Sequence, residues 1–373
     1  MVEQIDWEAL KEKFYCRNVK YVKYTAAGNY FMIVDETKGS VVPEEEKGDF
    51  AKLYCPPWFG IGANEVIFLE QTEHADVRMR LIEPDGSESE MCGNGVRCIA
   101  DYMLQKKGGE ECRIEVKAGA AVWEPKKGLF DGSIRIVTHD RTAPKIINGS
   151  YYCVDMGPLV TNLQDMPSID IEAIRNVYSA RGKKVPDQFI NQEYRLPENV
   201  SPIIQRFADL ELRVSLVHTG EPHLVIFVED IKYGSYYDGF ADRCLRIQNR
   251  TLGDDEFFYF TEAIKCDARY FKQDGPNKQC NVNLVQKISG KEIRILTNER
   301  GTGVTPACGT GSTACAAVAQ KEQVTNAERI KVENPGGVVY IKLEERLKLI
   351  GPAQEVSTGI TGHVPLTSAR RVL

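Results

Sequence analysis

Apolar residues along this chain fall mostly in short runs, and their spacing separates strands from helices. Runs rich in Val, Ile, Tyr and Phe, bounded by Gly, Pro, Asn or Asp, predict strands at Val19–Ala26, Tyr30–Val34, Val66–Leu69, Val77–Ile82, Arg113–Ala118, Ser133–Val137 and Tyr151–Met156. A second series covers Leu212–Val217, Leu224–Val228, Asn281–Val285, Ile293–Leu296, Ile330–Val332, Val338–Leu343 and Leu347–Ile350. Helical spacing is rarer. Ile5, Leu10 and Phe14 predict an N-terminal helix over Glu3–Phe14, and a patch at Ile171–Arg181 predicts another. Two runs of small and apolar residues, Val96–Leu104 and Thr313–Ala319, predict one strong helix in each half. Many strands with one strong helix per half predict an α+β fold: two curled, mostly antiparallel sheets, each wrapped around a central helix. Residues 163–204 turn polar and proline-punctuated and read as a surface insertion. A second insertion-like stretch, 233–278, carries Phe257-Phe258-Tyr259-Phe260, aromatics expected in a core or interface.

Each strong helix is preceded by a cysteine and a Gly-X-Gly turn. The first copy is Glu90-Met91-Cys92-Gly93-Asn94-Gly95-Val96-Arg97-Cys98, the second Pro306-Ala307-Cys308-Gly309-Thr310-Gly311-Ser312. A helix N-terminus exposes backbone N–H groups that have no partner within the helix and carries partial positive charge. That setting stabilises a thiolate and cradles a carboxylate. Glycines let backbone approach a ligand closely. Two such devices point to two cysteines facing one small anionic substrate. A lone Cys-Gly-X-Gly would more simply be a buried structural cysteine.

At 373 residues the chain is long enough for two domains, and 42% hydrophobic with 27% charged residues is ordinary for a globular protein. A net charge of −6 and a pI near 5.6 argue against nucleic acid as a partner. Met1–Arg17 is charged and lacks a signal-peptide core, and no apolar run approaches the roughly 20 residues that span a bilayer. A cytoplasmic protein without membrane contact is expected. Eleven cysteines without regular spacing do not read as a disulfide framework. Cys92/Cys98 and Cys308/Cys315 also miss the short Cys-X2–4-Cys spacing of structural zinc, so no metal is expected.

Asn298-Glu299-Arg300-Gly301-Thr302-Gly303 leads into the second cysteine motif, and Ala27-Gly28-Asn29-Tyr30-Phe31 stands near the start. With the two cysteine motifs, this ordered set resembles the diaminopimelate epimerase family, cofactor-independent amino-acid racemases and epimerases that use two cysteines. The resemblance implies two pseudo-symmetric domains, 1–145 with 347–373 and 146–346, an active site in the cleft between them, no pyridoxal phosphate, and a homodimer. It also implies roles for single residues. Cys92 and Cys308 would exchange the proton, and His223 and Glu299 would orient or tune them. Asn29 and Asn281 would lie at the substrate. Taken alone, Asn29 and Asn281 read equally well as turn or strand-end residues, and His223 as a satisfied structural histidine. Arg300 could hold a carboxylate or form an internal salt bridge.

Racemisation removes a proton from one face of Cα and delivers one to the other. A thiolate and a thiol on opposite faces can do this in both directions, exchanging roles. The ordinary thiol pKa of about 8.5 falls at a helix N-terminus, which brings one partner within reach of base strength at neutral pH. Backbone N–H groups of Gly93, Asn94, Gly309 and Thr310 are the candidates to hold the α-carboxylate and stabilise the carbanion.

The chain departs from the family pattern at Glu83 and Glu221, where asparagine is typical, and at Glu65, where many members have glutamine. Asparagine donates to a carboxylate, whereas ionised glutamate only accepts. Acids beside a distal carboxylate would repel it; beside a distal cation they would attract it. The expected substrate is therefore a basic amino acid such as lysine, arginine or histidine. The alternative is diaminopimelate itself, with the glutamates paired to Arg300 or Arg97 or protonated. A reading from another class is a thiol redox or metal-binding protein.

Overall fold

The computed structural model describes residues 6–14, 17–57, 60–89, 91–117, 122–124, 128–130, 134–140, 149–233, 243–273, 279–300 and 303–362. The chain divides into two compact units: Met1–Gly119 with Ser133–Tyr152 and Pro352–Leu373, and Ala120–Gly132 with Cys153–Gly351.

The first unit begins with α1 (Trp7–Phe14) and the hairpin of β1 (Lys20–Ala26) and β2 (Asn29–Asp35). Ala26 faces Asn29 across a two-residue turn whose residues Ala27 and Gly28 both have positive φ, 51° and 87°. That is the backbone a tight hairpin requires, and Gly28 meets it without strain. Helix α2 (Lys47–Tyr54) then carries the chain to β3 (Glu65–Glu70), which lies parallel to β2 with Phe31 opposite Glu65. Strand β4 (Val77–Ile82) runs back antiparallel, Ile67 opposite Leu81, and turns into the short β5 (Glu88–Ser89). Next come α3 (Gly93–Lys107) and β6 (Glu111–Glu115), the latter parallel to β4. The short pair β7 (Val122–Glu124) and β8 (Gly128–Phe130), which belongs to the second unit, precedes in the chain β9 (Ile134–His139), antiparallel to β6, and β10 (Gly149–Gly157).

Helix α3 packs on β1, β2, β6 and β9. Every residue from Gly93 to Met103 is buried. Helices α1 and α2 close another face, Phe14 edge-on to Phe50 at 5.6 Å in a cluster with Leu10, Leu53 and Phe68.

The second unit adds α4 (Ile171–Ala180), β11 (Gln192–Tyr194), and the hairpin of β12 (Leu212–His218) and β13 (Pro222–Val228). A small sheet of β14 (Asp230–Lys232), β15 (Cys244–Ile247) and β16 (Arg250–Leu252) follows, then α5 (Asp254–Lys265). Strand β17 (Asn281–Ser289) lies parallel to β13 with His223 opposite Asn281. Strand β18 (Glu292–Glu299) returns antiparallel, Asn283 opposite Thr297, and turns into β19 (Gly303–Val304). Helix α6 (Gly309–Lys321) leads to β20 (Arg329–Asn334), parallel to β18, and β21 (Gly337–Lys342) pairs antiparallel with β20. The last strand, β22 (Leu347–Ile360), pairs with β21 through Leu349 and Ile350, and with β1 through Gln354–Ile360.

The sequence of pairings in the two units is the same: hairpin, parallel step, antiparallel return, short turn strand, buried helix, second parallel step. The sheets are mixed: mostly antiparallel, as the apolar pattern predicted, with two parallel steps in each unit that it did not. A parallel step needs a long crossover. Helices α2 and α5, neither of which the pattern predicted, sit in two of these crossovers; α3 and α6 sit in the others.

Residues 163–204 are not a surface appendage. Leu163, Met166, Ile174, Tyr178, Phe189, Tyr194 and Ile204 join Leu212, Leu224, Phe257, Phe260 and Leu284 in one core. Helix α4 is fixed at its start by Asp170, whose side chain accepts from the Ala173 N–H at 2.9 Å, a standard N-cap. Phe257 and Phe260 are buried on α5 while Phe258 and Tyr259 face solvent. The predicted helix over Glu3–Phe14 begins at Trp7 among the described residues. Among the described residues no helix is long and apolar enough to cross a membrane.

Candidate active site

In the first unit, Cys92 is the N-cap of α3, in extended conformation (φ −133°, ψ 114°), and its carbonyl accepts from Val96 N–H at 3.0 Å. The N–H groups of Gly93, Asn94 and Gly95 thus form the first turn, where the helix offers them no partner. At Gly95 a Cβ would fit tightly, 3.3 Å from the end of the Ile67 side chain and 3.5 Å from the Phe31 ring. Beneath the turn lies Arg97, wholly buried. Its guanidinium donates to the Asn94 side-chain oxygen (2.7 Å) and to the carbonyls of Gly93 (3.2 Å) and Pro352 (3.1 Å). Burial lowers its pKa to about 10, against the pull of the Cys98 and Cys92 thiols, so it remains a cation at neutral pH.

Among the described residues Arg97 forms no ion pair with a glutamate; of the pairings left open by the sequence, it is Arg300 that faces one, Glu221. Asn29 opens β2 and is buried, with its side-chain oxygen lacking a hydrogen-bond partner among the described residues. Glu65 opens β3 and is buried. Glu83 follows β4, in a turn closed by its N–H to Ser87 (2.8 Å), and its carboxylate accepts from the Ser89 hydroxyl.

In the second unit, Cys308 is the N-cap of α6 with the same extended backbone (φ −109°, ψ 116°), and its carbonyl accepts from Ser312 N–H at 2.9 Å. Its sulfur accepts from Gly311 N–H at 3.3 Å and lies 3.3 Å from the Thr310 hydroxyl. Burial pushes this thiol well above the usual range, and the Glu299 and Glu221 carboxylates push the same way. Cys308 is therefore protonated at neutral pH. Glu299 ends β18 and accepts from the Thr305 hydroxyl. Glu221 precedes β13. Asn281 Nδ2 donates to one of its oxygens at 2.9 Å, and the other lies 3.7 Å from the Arg300 guanidinium. The Arg300 N–H donates to Asn281 Oδ1 at 2.7 Å.

His223 lies within β13 and is wholly buried. Its Nδ1 accepts from Asn283 Nδ2 (3.1 Å), whose amide also donates to the Leu224 carbonyl (3.1 Å) and accepts from the Thr297 hydroxyl (3.0 Å). That network leaves the ring proton on Nε2, which has no partner among the described residues. Burial, and secondarily His218, lower the imidazole pKa to about 3. The ring is neutral and cannot act as a cation toward the thiol.

The registers of the two units put the predicted residues in pairs. With Phe31 opposite Glu65 and His223 opposite Asn281, Asn29 corresponds to Glu221 and Glu65 to Asn281. With Ile67 opposite Leu81 and Asn283 opposite Thr297, Glu83 corresponds to Glu299. Both glutamates accept from a hydroxyl six residues further on. Cys92, Gly93 and Asn94 correspond to Cys308, Gly309 and Thr310 at the two helix starts. His223 and Arg300 have counterparts outside the predicted set, Phe31 and Pro84. Sequence reasoning missed Arg97, Asn283, Thr297 and Thr313 as supports of the site. Thr313 stands where Arg97 stands on the other helix, and its hydroxyl likewise donates to a turn carbonyl, that of Gly309, at 2.9 Å.

Comparison with known proteins places the chain in a family. Residues 21–128 and 260–359 match the family model described as diaminopimelate epimerase. A protein of Methanocaldococcus jannaschii named diaminopimelate epimerase is 30% identical over 338 residues, 90% of this chain and 96% of the relative. One of Methanocella arvoryzae with the same name is 31% identical over 343 residues, 91% of this chain and 96% of the relative. Among solved structures, a hydroxyproline epimerase from Agrobacterium vitis aligns with a TM-score of 0.56 at 12% identity, over 93% of this chain and 92% of the other. A probable proline racemase from Agrobacterium radiobacter gives 0.53 at 12%, over 93% of each chain. Those two likenesses concern the fold. The matched motifs and the near-complete coverage of its relatives mean that the chain belongs to the diaminopimelate epimerase family, enzymes that isomerise without pyridoxal phosphate.

Proposed function

We propose that this protein inverts the α-carbon of a free amino acid, with Cys92 and Cys308 as its two proton-transfer groups. One observation carries the reading: the two thiols hold the same position in a repeated fold, each capping a buried helix whose first-turn N–H groups can hold a carboxylate. One sulfur, as thiolate, takes the Cα proton and leaves a carbanion stabilised through the α-carboxylate by the first-turn N–H groups. The other sulfur, as thiol, gives its proton to the opposite face. The product leaves with the two protonation states exchanged, and the reverse reaction restores them. The reaction requires both sulfurs to reach one carbon from opposite sides.

The substrate in this reading carries a second cationic group, as lysine, arginine and histidine do. Glu83 and Glu299, equivalent in position and in their hydroxyl contacts, suit a molecule with two positively charged groups. A second reading, diaminopimelate, is favoured by the names of the relatives, and that molecule also carries two ammonium groups. The test is exchange of the Cα proton in deuterated water, followed by NMR on single enantiomers of lysine, arginine, histidine and diaminopimelate. Exchange with a basic amino acid supports the first substrate. Exchange with LL-diaminopimelate alone eliminates it, and undiminished inversion by Cys92→Ala or Cys308→Ala refutes the two-thiol mechanism.

A further inference from the structure

We infer that Glu221 is a built-in counter-ion for Arg300, holding the position at which a substrate's distal carboxylate would otherwise bind, and that it sets the enzyme's preference for cationic side chains. The inference rests on the racemase reading of the site. A guanidinium and an amide N–H converging on one point are a common means of holding a carboxylate. Here Asn281 Nδ2 reaches one oxygen at 2.9 Å and Arg300 faces the other at 3.7 Å, but the carboxylate they hold is the chain's own. The arrangement is fixed from both ends. The Arg300 N–H bonded to Asn281 Oδ1 at 2.7 Å decides which way the amide points. Glu221 itself is set by the three-residue turn between β12 and β13, where Gly220 takes a positive φ of 96° and Thr219 N–H bonds the Glu221 carbonyl at 3.1 Å. Both side chains are largely withdrawn from water, 16% and 18% exposed, so solvent screens the pair only in part.

Arg300 therefore meets an incoming ligand already neutralised. The Glu299 carboxylate also lies beside the Cys308 thiol and adds to the pull on a cation there. A ligand carboxylate could reach Arg300 only by pushing Glu221 aside, leaving two partly buried carboxylates beside the third. The other unit shows that the position accepts a neutral amide, since its counterpart there is Asn29.

The experiment compares the wild type with Glu221→Gln and Glu221→Asn, two neutral replacements of different length. Two quantities are measured: kcat/KM for Cα exchange on the best basic amino acid and on LL-diaminopimelate, and calorimetric affinity for the same two ligands. The ratio of diaminopimelate to basic amino acid should rise by about 100-fold in both variants, through gain on one substrate and loss on the other. An unchanged ratio in folded, active variants overturns the inference while leaving the racemase reading intact, as does a wild type that already prefers diaminopimelate and loses it on substitution. Absence of exchange on any amino acid, with the affinities shifting as stated, sinks the racemase reading and leaves the selectivity role of Glu221 standing.

Discussion

The two cysteine-bearing helices begin alike and rest on different floors. Under Cys92 the equivalent positions are Phe31, Ile67, Leu81 and Arg97: three apolar side chains and one wholly buried cation. Under Cys308 they are His223, Asn283, Thr297 and Thr313, a neutral hydrogen-bonded network. The backbone scheme fixes where each sulfur stands; the floor sets the charge that lies beneath it. A buried guanidinium stabilises negative charge at the first helix start, whether thiolate or substrate carboxylate. Nothing in the second floor does so, and Glu299 beside Cys308 acts against it. The comparison teaches that a repeated fold can set two chemically identical groups on unlike floors, one with a buried cation and one neutral, an inequality that a two-base reaction can use.

The largest effect that could break this comparison is loss of one sulfur. Either cysteine replaced by alanine should lower stereoinversion by about a thousandfold or more. The two variants should nevertheless differ. Cys308→Ala leaves the sulfur of the cationic floor, so slow Cα exchange without inversion should persist on one enantiomer. Cys92→Ala leaves a thiol held protonated, and exchange should be lost as well. NMR in deuterated water with chiral analysis reads both, and equal residual exchange in the two variants would erase the asymmetry.

A second contrast concerns the matching glycines. A Cβ on Gly311 would lie 2.6 Å from Asn283 Oδ1 and 3.2 Å from the Cys308 sulfur, and Asn283 is held by hydrogen bonds to His223, the Leu224 carbonyl and Thr297. On Gly95 the nearest atom is the end of the Ile67 side chain at 3.3 Å, which can rotate away. Gly311→Ala should cost about 1–3 kcal/mol and most of the activity. Gly95→Ala should cost less, partly offset by alanine's helix preference of about 1 kcal/mol. Chemical denaturation of both variants measures the difference.

Much of this was legible in the sequence. The strand at Val77–Ile82 and the N-cap role of both cysteines follow from apolar alternation and from Gly-X-Gly before a small-residue helix. Helices α2 and α5 were not legible, because a crossover's helix answers to the parallel pairing it spans rather than to its own periodicity. The core role of 163–204 was hidden by prolines that break the pattern while Phe189, Tyr194 and Ile204 still turn inward. The pairing of Glu83 with Glu299 was invisible for another reason. It is set by strand register, and the intervening floor residues changed type between the halves, Phe31 against His223 and Leu81 against Thr297. Buried polar residues inside strands and helices, Arg97 and Asn283 among them, carry no spacing signature of their own.

Arg97 gives the next test. Arg97→Met removes the buried cation at similar volume, and Arg97→Lys keeps the charge without the fork of donors. Alkylation of Cys92 by iodoacetamide at pH 7, followed by peptide mass spectrometry, should slow about tenfold in Arg97→Met and recover in part in Arg97→Lys. Labelling of Cys308 should stay as in the wild type. Equal slowing at both cysteines would mean that Arg97 acts through general packing.

His223 supplies the smallest expected effect and a sign that can be worked out in advance. Its native pKa, about 3, lies below the unfolded value of about 6.5 because burial disfavours the imidazolium. Between those values the unfolded chain binds a proton that the native chain does not. The neutral-histidine contribution is thus fully present above pH 6.5 and is lost as pH falls toward 3. The loss approaches about 1.4 kcal/mol per pH unit well below 6.5. His223→Gln has no such group, so its stability should fall less steeply than the wild type's, by about 1 kcal/mol between pH 6 and pH 5. Urea denaturation at the two pH values tests this. Parallel acid limbs would mean that the imidazole takes up a proton in the folded protein, and the floor under Cys308 would then be a cationic one like that under Cys92.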